Sequence, residues 1–533
     1  MTIYSDYKRY NFRLNTSYKK GRFSFSETLG LTHKDKTPTT AFNIALPTLP
    51  IYDEQGRFTP GGPDYYITPE DGKAQNKIAP LHYTDQFNKV TDLIGSLNAQ
   101  LDIWGGLKYK LSLSGNYSNK HNYTHTPEYY TKWNSDGTPD KDYGNTRNSV
   151  SETRGEEFTY TIDNLLTYNK TFNRHSIDAL LGTSWMREYY RYMTNSTIND
   201  LGGTDITGFQ NEDGKISAGD SNAALLSFFA RVNYDYDNKY LLSLSIRRDE
   251  SSKFHKDNRV GYFPSVSAGW NVHQEKWFQN PVMSKLKIRA SYGELGANFL
   301  NPYNFDAIAY GPIPYTVGGE RYVTGRAAYL KSKDLKWETA KTTDIGIELG
   351  FFNNDLTLSL DYFVKKNVDL LAQIDLNLSS GQIFEINSSR EKPYVNTASV
   401  KNTGWEFMMN YRKQLTKDFH IDATFNIATL KNKVLSLGEN VQPITSGAMS
   451  SYFNDAPSIT MPGEAIGSFY GYKIDGFDAE GNFIFADMDK NGVVNANDKV
   501  ILGSPIPDFT YGLNINMEYK DCLLYTSDAA DDK

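Results

Sequence analysis

Hydrophobic and polar positions alternate with a period of two along much of the chain, most clearly from Leu225 to Gly296. Leu226, Phe228, Ala230, Val232, Tyr234 and Tyr236 fall on one side of the first segment; Ser227, Phe229, Arg231, Asn233 and Asp235 fall on the other. A strand has a side-chain period of two, so the segment reads as a strand with an apolar face and a mostly polar face. After a turn at Asp237 to Lys239, Tyr240, Leu242, Leu244 and Ile246 oppose Ser243, Ser245, Arg247 and Asp249. Tyr262, Val266, Ala268, Trp270 and Val272 continue the scheme, followed by Leu286, Ile288, Ala290 and Tyr292. Strands of a soluble sandwich are usually about half this long. These run about ten residues, the length that crosses a bilayer at a tilt. Tyr and Trp stand toward the ends of the apolar rows, where interfacial girdles belong. The pattern predicts an all-β chain, a transmembrane antiparallel β-barrel.

The same alternation recurs in hairpins. Tyr7 to Tyr18 pairs with Phe23 to Lys34 across Lys19-Lys20-Gly21-Arg22, and Ile94 to Trp104 with Leu107 to Ser118 across Gly105-Gly106. The Gly-Gly connection is a strong two-residue hairpin signal. Glu157 to Asn169 pairs with His175 to Tyr190, and Thr342 to Phe352 with Asp355 to Lys365 across Asn353-Asn354. Asn402 to Lys413 pairs with Phe419 to Leu430, and Phe509 to Lys520 is a last strand. The total is about fifteen strands. Short turns and long loops alternate, and in outer-membrane barrels these face the periplasm and the exterior respectively. The exception is His273 to Ser284, a longer connection where a short turn is due. A propeller or solenoid would show a fixed repeat, and none is visible.

Composition changes this picture little. Mean hydropathy is −0.57, which resembles a soluble protein, but a barrel hides its lipid contacts in alternation. No run of apolar residues is long enough for a membrane helix. Aromatics make up 14% of the chain, with 38 Tyr, which suits girdles and sugar or peptide ligands. The net charge of −7 argues against a nucleic-acid partner. A single cysteine, Cys522, excludes an intrachain disulfide framework. No apolar signal segment follows Met1, so the expectation is an exported chain lacking its true start.

Several ordered motifs resemble the SusC/RagA family, the TonB-linked outer-membrane importers of Bacteroidetes. They are Ser227 to Tyr234, Tyr240-Leu241-Leu242, Arg247-Arg248-Asp249, Ser251-Ser252-Lys253-Phe254, Gly261 to Ser265 and Arg289 to Gly293. Leu335-Lys336-Trp337-Glu338, Asp344 to Glu348, Asp361-Tyr362-Phe363, Asp369-Leu370-Leu371, Asn402 to Glu406 and Gly503 to Phe509 extend the likeness. It covers about residues 7 to 520. The resemblance implies a 22-strand barrel filled by an N-terminal plug, lidded by a SusD-like surface lipoprotein, importing oligosaccharides or peptides under the drive of TonB. Against that pattern the chain reads as incomplete, with the plug domain absent and too few strands to close. Residues 1–520 are then a partial receptor barrel, and 521–533, which lose the alternation, a non-native tail. An open sheet edge in lipid leaves unpaired backbone groups at several kcal/mol each, so these residues alone are expected not to insert stably.

One loop carries a sharper chemical pattern. Asp487-Met488-Asp489-Lys490-Asn491-Gly492-Val493-Val494-Asn495-Ala496-Asn497-Asp498 matches a twelve-residue calcium loop. Asp487, Asp489, Asn491, Asn495 and Asp498 stand at ligand positions, the Val493 carbonyl at the seventh, and Gly492 at the turn. Asp replaces the usual bidentate Glu at the twelfth, and no flanking helices are evident. The alternative is a metal-free turn rich in Asp and Asn. Tyr65, Tyr66, Tyr129, Tyr130 and Trp133 lie in expected outer loops and are candidate contacts for sugar faces or peptides; otherwise they pack loops together or against the lid. Arg231, Arg247 and Arg289 on the polar faces either line a substrate path or pair with acids. Enzyme signals are poor. His121 and His125 lack an intervening metalloprotease Glu and lie in an expected loop, and Gly182-Thr183-Ser184-Trp185-Met186 misses the nucleophile elbow. The expectation is no enzyme, with two other readings open: a siderophore-type receptor or porin barrel, and a soluble carbohydrate-binding β-protein.

Overall fold

A computed structural model describes residues 6–38, 51–59, 78–141, 143–198, 215–303, 305, 309–318, 320–327, 332–373, 394–438, 441–447, 456–520 and 522–525. Seventeen strands belong to one sheet. They are β1 (Tyr7–Lys20), β2 (Phe23–Lys36), β3 (Asp85–Trp104), β4 (Leu107–Thr126), β5 (Ser149–Phe172), β6 (His175–Ile198) and β7 (Lys215–Tyr236). Then follow β8 (Tyr240–Ser251), β9 (Val260–Asn271), β10 (Met283–Ala297), β11 (Glu338–Phe351) and β12 (Leu356–Gln373). The last are β13 (Tyr394–Thr416), β14 (Phe419–Thr429), β15 (Lys431–Ser436), β16 (Phe509–Tyr519) and β17 (Cys522–Tyr525).

Every strand expected from alternation is present, and most are longer. β5 begins at Ser149 rather than Glu157, and β13 at Tyr394 rather than Asn402. The reason is physical. Alternation marks only the part of a strand whose two faces meet different solvents; the ladder continues where the alternation lapses, as in Ser149-Val150-Ser151-Glu152-Thr153-Arg154. β15 continues β14 past a break at Leu430, and both pair with β13. The tail residues Cys522–Tyr525 extend the ladder against β16. Turns form where small or amide residues tolerate positive φ: Asp237 and Asn238 (57° and 54°), Asn353 and Asn354 (59° and 69°). Gly106 (φ +97°) is tight as well as left-handed, since a Cβ there would lie 1.9 Å from the Asn169 carbonyl oxygen.

The chain divides into two compact units. In the first (Met1–Trp104, Lys108–Leu165 and Ser184–Leu225), β1, β2 and β3 form an antiparallel meander in which Phe23 faces both Lys20 and Leu101. The long loops here are not plain coil. Ile78–Tyr83 is a short helix, and Tyr129–Tyr130 pairs with Gly144–Asn145.

In the second unit (Gly105–Leu107, Leu166–Thr183 and Leu226–Lys533), β8 to β14, then β16 and β17, pair antiparallel in that order. Tyr240, Leu242, Leu244 and Ile246 lie in register with Trp270, Ala268, Val266 and Pro264. The large apolar side chains of these rows, with Tyr262, Ile288 and Tyr292, are exposed. Leaving each in water forgoes about 1.5–3 kcal/mol of burial, so a continuous row of them calls for an apolar solvent. The internal core is correspondingly small and lies near the long loops. Ala398, Val400, Val434 and Leu437 form one cluster, backed by Leu370 and Val441. Phe254 (0% exposed), Trp337 and Phe263 form another. Trp337 packs 5.2 Å from Phe254 and 5.4 Å from Phe263, and its Nε1 donates to the Arg259 carbonyl (2.9 Å). The final long loop holds a four-stranded sheet of Ile444–Ser446, Ser458–Thr460, Ser468–Tyr472 and Lys499–Gly503. Beside them, Ile474–Phe477 pairs with Phe483–Phe485.

Candidate functional site

The polar face of β8 to β12 carries an ordered charge network. Arg289 on β10, Gly346 on β11 and Asp361 on β12 stand directly opposite one another across the three strands. Because Gly346 has no side chain, the Arg289 guanidinium passes over it and Nη2 reaches Asp361 Oδ1 at 2.7 Å. A Cβ on Gly346 would lie 1.8 Å from that oxygen. The pair is Coulombic: neither Arg289 Nε nor Asp361 Oδ1 has the alignment of a hydrogen bond. Arg289 also lies 3.4 Å from Asp344 and 3.4 Å from Glu348, and Lys285 donates to Glu348 at 2.7 Å. Arg247 holds Asp249 through Nε (2.7 Å) and Ser227 through Nη2 (2.8 Å), and Arg231 approaches Asp178 at 3.9 Å. All three arginines singled out in the sequence therefore pair with acids. A concavity of ≈ 550 Å³ opens among Asp178, Asn233, Ser243, Lys287, Arg289 and Asp344. Its lining mixes these charged and polar side chains with Leu241, Leu242, Ala268 and Ala290.

The expected ligand aromatics fare differently from one another. Tyr65 and Tyr66 lie outside the described residues. Tyr129 stacks on Tyr83 (4.7 Å, 15° between planes), which packs on Phe58, and burial pushes its hydroxyl pKa up. It serves loop packing. Tyr130 donates to Glu128, which raises its hydroxyl pKa, and sits edge-on to Trp133. Trp133 is 42% exposed. His121 and His125 lie on β4, not in a loop. They contact Glu152 (2.7 Å) and Asn148 (2.8 Å), and so act as cross-strand polar partners.

The Asp-rich loop is folded around its own carboxylates. Asp487, Asp489 and Asp498 offer carboxylate oxygens all within 4.8 Å of one another. Asp498 has no exposed surface. It accepts from the backbone N–H groups of Met488 (2.8 Å), Asp489 (3.2 Å) and Asn495 (2.8 Å). The Asn495 hydrogen bond leads the effects that hold its pKa below the ordinary aspartate value. Asp487 accepts from Asn491 and Gly492 N–H, and Asn491 Oδ1 from Val493 N–H. Asn495 caps the short 3-10 turn Ala496–Asp498, with its own side chain 3.2 Å from the Val493 carbonyl. Spacing in the sequence singled out all six residues as candidate ligands, and the structure brings the carboxylates of three of them, Asp487, Asp489 and Asp498, together. Spacing could not locate Gly346, Asp361, Asp178 or Tyr83, whose roles arise from cross-strand register and loop packing.

Comparisons with known proteins follow the same lines. A family model described as TonB dependent receptor-like, beta-barrel, matches residues 6–521. A TonB-dependent receptor of Formosa agariphila is 33% identical over 411 residues, 71% of this chain and 38% of that protein. The TonB-dependent receptor SusC of Bacteroides thetaiotaomicron is 26% identical over 570 residues, 98% of this chain and 52% of that one. The chain thus spans about half the length, or less, of these relatives. The solved RagAB peptide transporter has the same fold, with a TM-score of 0.78 at 19% identity, covering 98% of this chain and 57% of that one. The exposed apolar rows face lipid, and the protein resides in the outer membrane. The chain belongs to the TonB-dependent receptor-like β-barrel family.

Proposed function

We propose that this chain forms barrel wall in a SusC-like importer that carries oligosaccharides or peptides across the outer membrane. TonB drives import through a plug, and a SusD-like lipoprotein lids the outer side. The observation that supports it is the pairing of lipid-length apolar rows with a charged, hydroxyl-rich opposite face. Cargo in such a barrel passes along fixed dipoles and paired charges. These hold a polar solute weakly at many points, and transport needs release as well as binding. No covalent chemistry is assigned to any residue. The test is uptake of fluorescent oligosaccharides and of peptides by cells with and without the gene, in a host whose TonB can be depleted. Loss of uptake in both deletion and depletion supports the reading. Unchanged uptake of every cargo, or passive entry without TonB as in a porin, refutes it.

Calcium is proposed for the loop Asp487 to Asp498, ligated by Asp487, Asp489, Asn491, Asn495, Asp498 and the Val493 carbonyl. The convergence of three carboxylates supports this, because like charges so close are favoured by a cation between them. A bound ion would displace some of the N–H groups that these oxygens now accept, and would stiffen the end of the final long loop. Calorimetry of a segment spanning residues 475–505 tests it. Saturable heat with calcium, abolished by Asp489→Ala, supports the site; no heat at millimolar calcium ends it.

A further inference from the structure

The connection between β9 and β10 is longer than the other short turns, and the structure shows what the extra residues do. Val272–Gln274 forms a 3-10 turn, with Val272 buried and His273 Nδ1 against the Leu286 carbonyl (3.0 Å). Glu275 is a hub. Its carboxylate accepts from the Tyr240 hydroxyl (2.7 Å), Lys239 Nζ (3.1 Å) and Trp270 Nε1 (3.2 Å). Phe278 N–H donates to the Glu275 carbonyl (3.0 Å), and Asn280 Oδ1 accepts from Val282 and Met283 (both 2.9 Å). The backbone is thereby fixed in one path. Trp277 stands out from it, 66% exposed, edge-on to Trp270 at 6.5 Å.

A file of aromatic rings runs to Trp277, which also meets its neighbour Phe278 edge-on at 6.2 Å. Phe172 stacks on His175 (5.4 Å), His175 meets Tyr236 (4.9 Å), and Tyr236 stacks on Tyr240 (6.3 Å). Tyr240 stacks on Trp270 (6.4 Å). The file lies at the turn ends of β5 to β9, next to the exposed apolar row of Leu242, Leu244 and Ile246. Every ring up to Trp270 comes from a strand. A short turn would end the file at Trp270; the longer connection carries it on to Trp277 and its neighbour Phe278. Lys276, beside it, is exposed.

We infer that the β9–β10 connection is an anchor in the phospholipid headgroup layer of the turn-side leaflet, with Trp277 as its interfacial ring. Three features point to this occupant. The file is continuous with the lipid-facing row. An indole combines an apolar body with an N–H donor, and so favours the boundary between acyl chains and water. A long basic side chain such as that of Lys276 lays its stem along the apolar layer and keeps its charge among the headgroups. The Glu275 hub keeps the anchor from swinging into the periplasm. The inference rests on the family membership and on no particular cargo.

Site-directed spin labelling of the protein in outer-membrane vesicles tests it, in a Cys522→Ser background. Labels go at Trp277→Cys, at Leu244→Cys in the lipid-facing row, and at Lys417→Cys in a short turn. Power saturation then compares collision rates with oxygen and with a water-soluble nickel chelate. Expected is an intermediate depth at 277, with nickel collisions several-fold fewer than at 417 and oxygen collisions fewer than at 244. Nickel access at 277 equal to that at 417 overturns the anchor. So does protection from both quenchers, which means a protein covers the ring. If 244 itself proves water-accessible, the membrane reading of the face fails rather than the anchor alone. Lys276→Cys is the second reporter, expected at headgroup depth, should Trp277→Cys not assemble.

Discussion

Replacing Gly346 by alanine isolates the charge network from everything else in the strand. In an ordinary strand, Gly→Ala is favourable by about 0.5–1 kcal/mol, because the unfolded chain loses freedom. Here the new methyl would sit 1.8 Å from Asp361 Oδ1 and 3.0 Å from Arg289 Nε. The short Asp361 side chain must swing away, which breaks its contact with Arg289. The Arg289 side chain is 37% exposed and that of Asp361 10%. The pair therefore lies between a surface pair worth under about 1 kcal/mol and a buried one whose breakage costs about 3–5; about 2 kcal/mol is the working value. Net, Gly346→Ala should destabilise by about 1–2 kcal/mol, reversing the sign expected of the bare substitution. Asp361→Ala alone should cost about 2 kcal/mol. With Asp361 already removed, the methyl meets no oxygen, so Gly346→Ala becomes neutral or favourable. The double-mutant cycle should then show coupling of about 2 kcal/mol. Urea unfolding in detergent micelles, followed by the mobility shift of the folded band, measures all four species. Additivity within about 0.5 kcal/mol, or a stabilised single Gly346→Ala, would refute the bridge.

Other consequences are simpler. Gly106→Ala places a Cβ 1.9 Å from the Asn169 carbonyl at φ +97°, whereas Gly105 (φ +54°) has nothing within 4 Å of its added Cβ. Gly106→Ala should therefore lower the melting midpoint of the folded band well below that of Gly105→Ala, whose cost is about 1–2 kcal/mol. The Asp498 pKa is depressed in the folded loop, so its contribution is fully present above the unfolded value of 3.8 and is lost as pH falls through the lower folded value. The protection factors of the Met488 and Asp489 amides, with the intrinsic pH dependence of exchange divided out, should fall only in that acid window; a loss of protection between pH 5 and 7 would contradict the assignment. Tyr83→Ala removes the stacking partner of Tyr129 and a neighbour of Phe58, so limited proteolysis near residues 51–59 should quicken while that at Trp133 stays unchanged.

How much was legible in the sequence depended on which solvent each residue meets. Strands β7 to β10 announced themselves because lipid on one side and polar surroundings on the other impose a period of two. The continuations of β5 and β13 carried no such signal, because Val150, Ala398 and Val400 are buried in local packing rather than set in an alternating lipid-facing row, so these strands looked shorter than they are. Turn residues were readable, because Asn353-Asn354 and Gly105-Gly106 accept backbone angles that others resist. The Asp487 to Asp498 loop was readable because its residues are local. The Arg289–Gly346–Asp361 row was not: its members come from three strands, and the register between them is set by pairing across loops. Sequence left two roles open for Tyr129, ligand contact and loop packing, because its stacking on Tyr83 depends on how two separate loops meet.

Strand β13 has a further consequence. Its 23 residues trace a path of about 75 Å at ~3.3 Å per residue. Tilted by about 40°, that is roughly 57 Å of height, against an apolar band of about 25 Å. Its lower half presents Trp405 outward, while Ala398 and Val400 near its start are buried in a cluster of the kind found in water-soluble proteins. One covalent rod thus passes through two media, stabilised in one by acyl chains and in the other by a private core. The start of the strand, with the loop residues packed on it, is thereby lifted some tens of ångströms off the lipid plane.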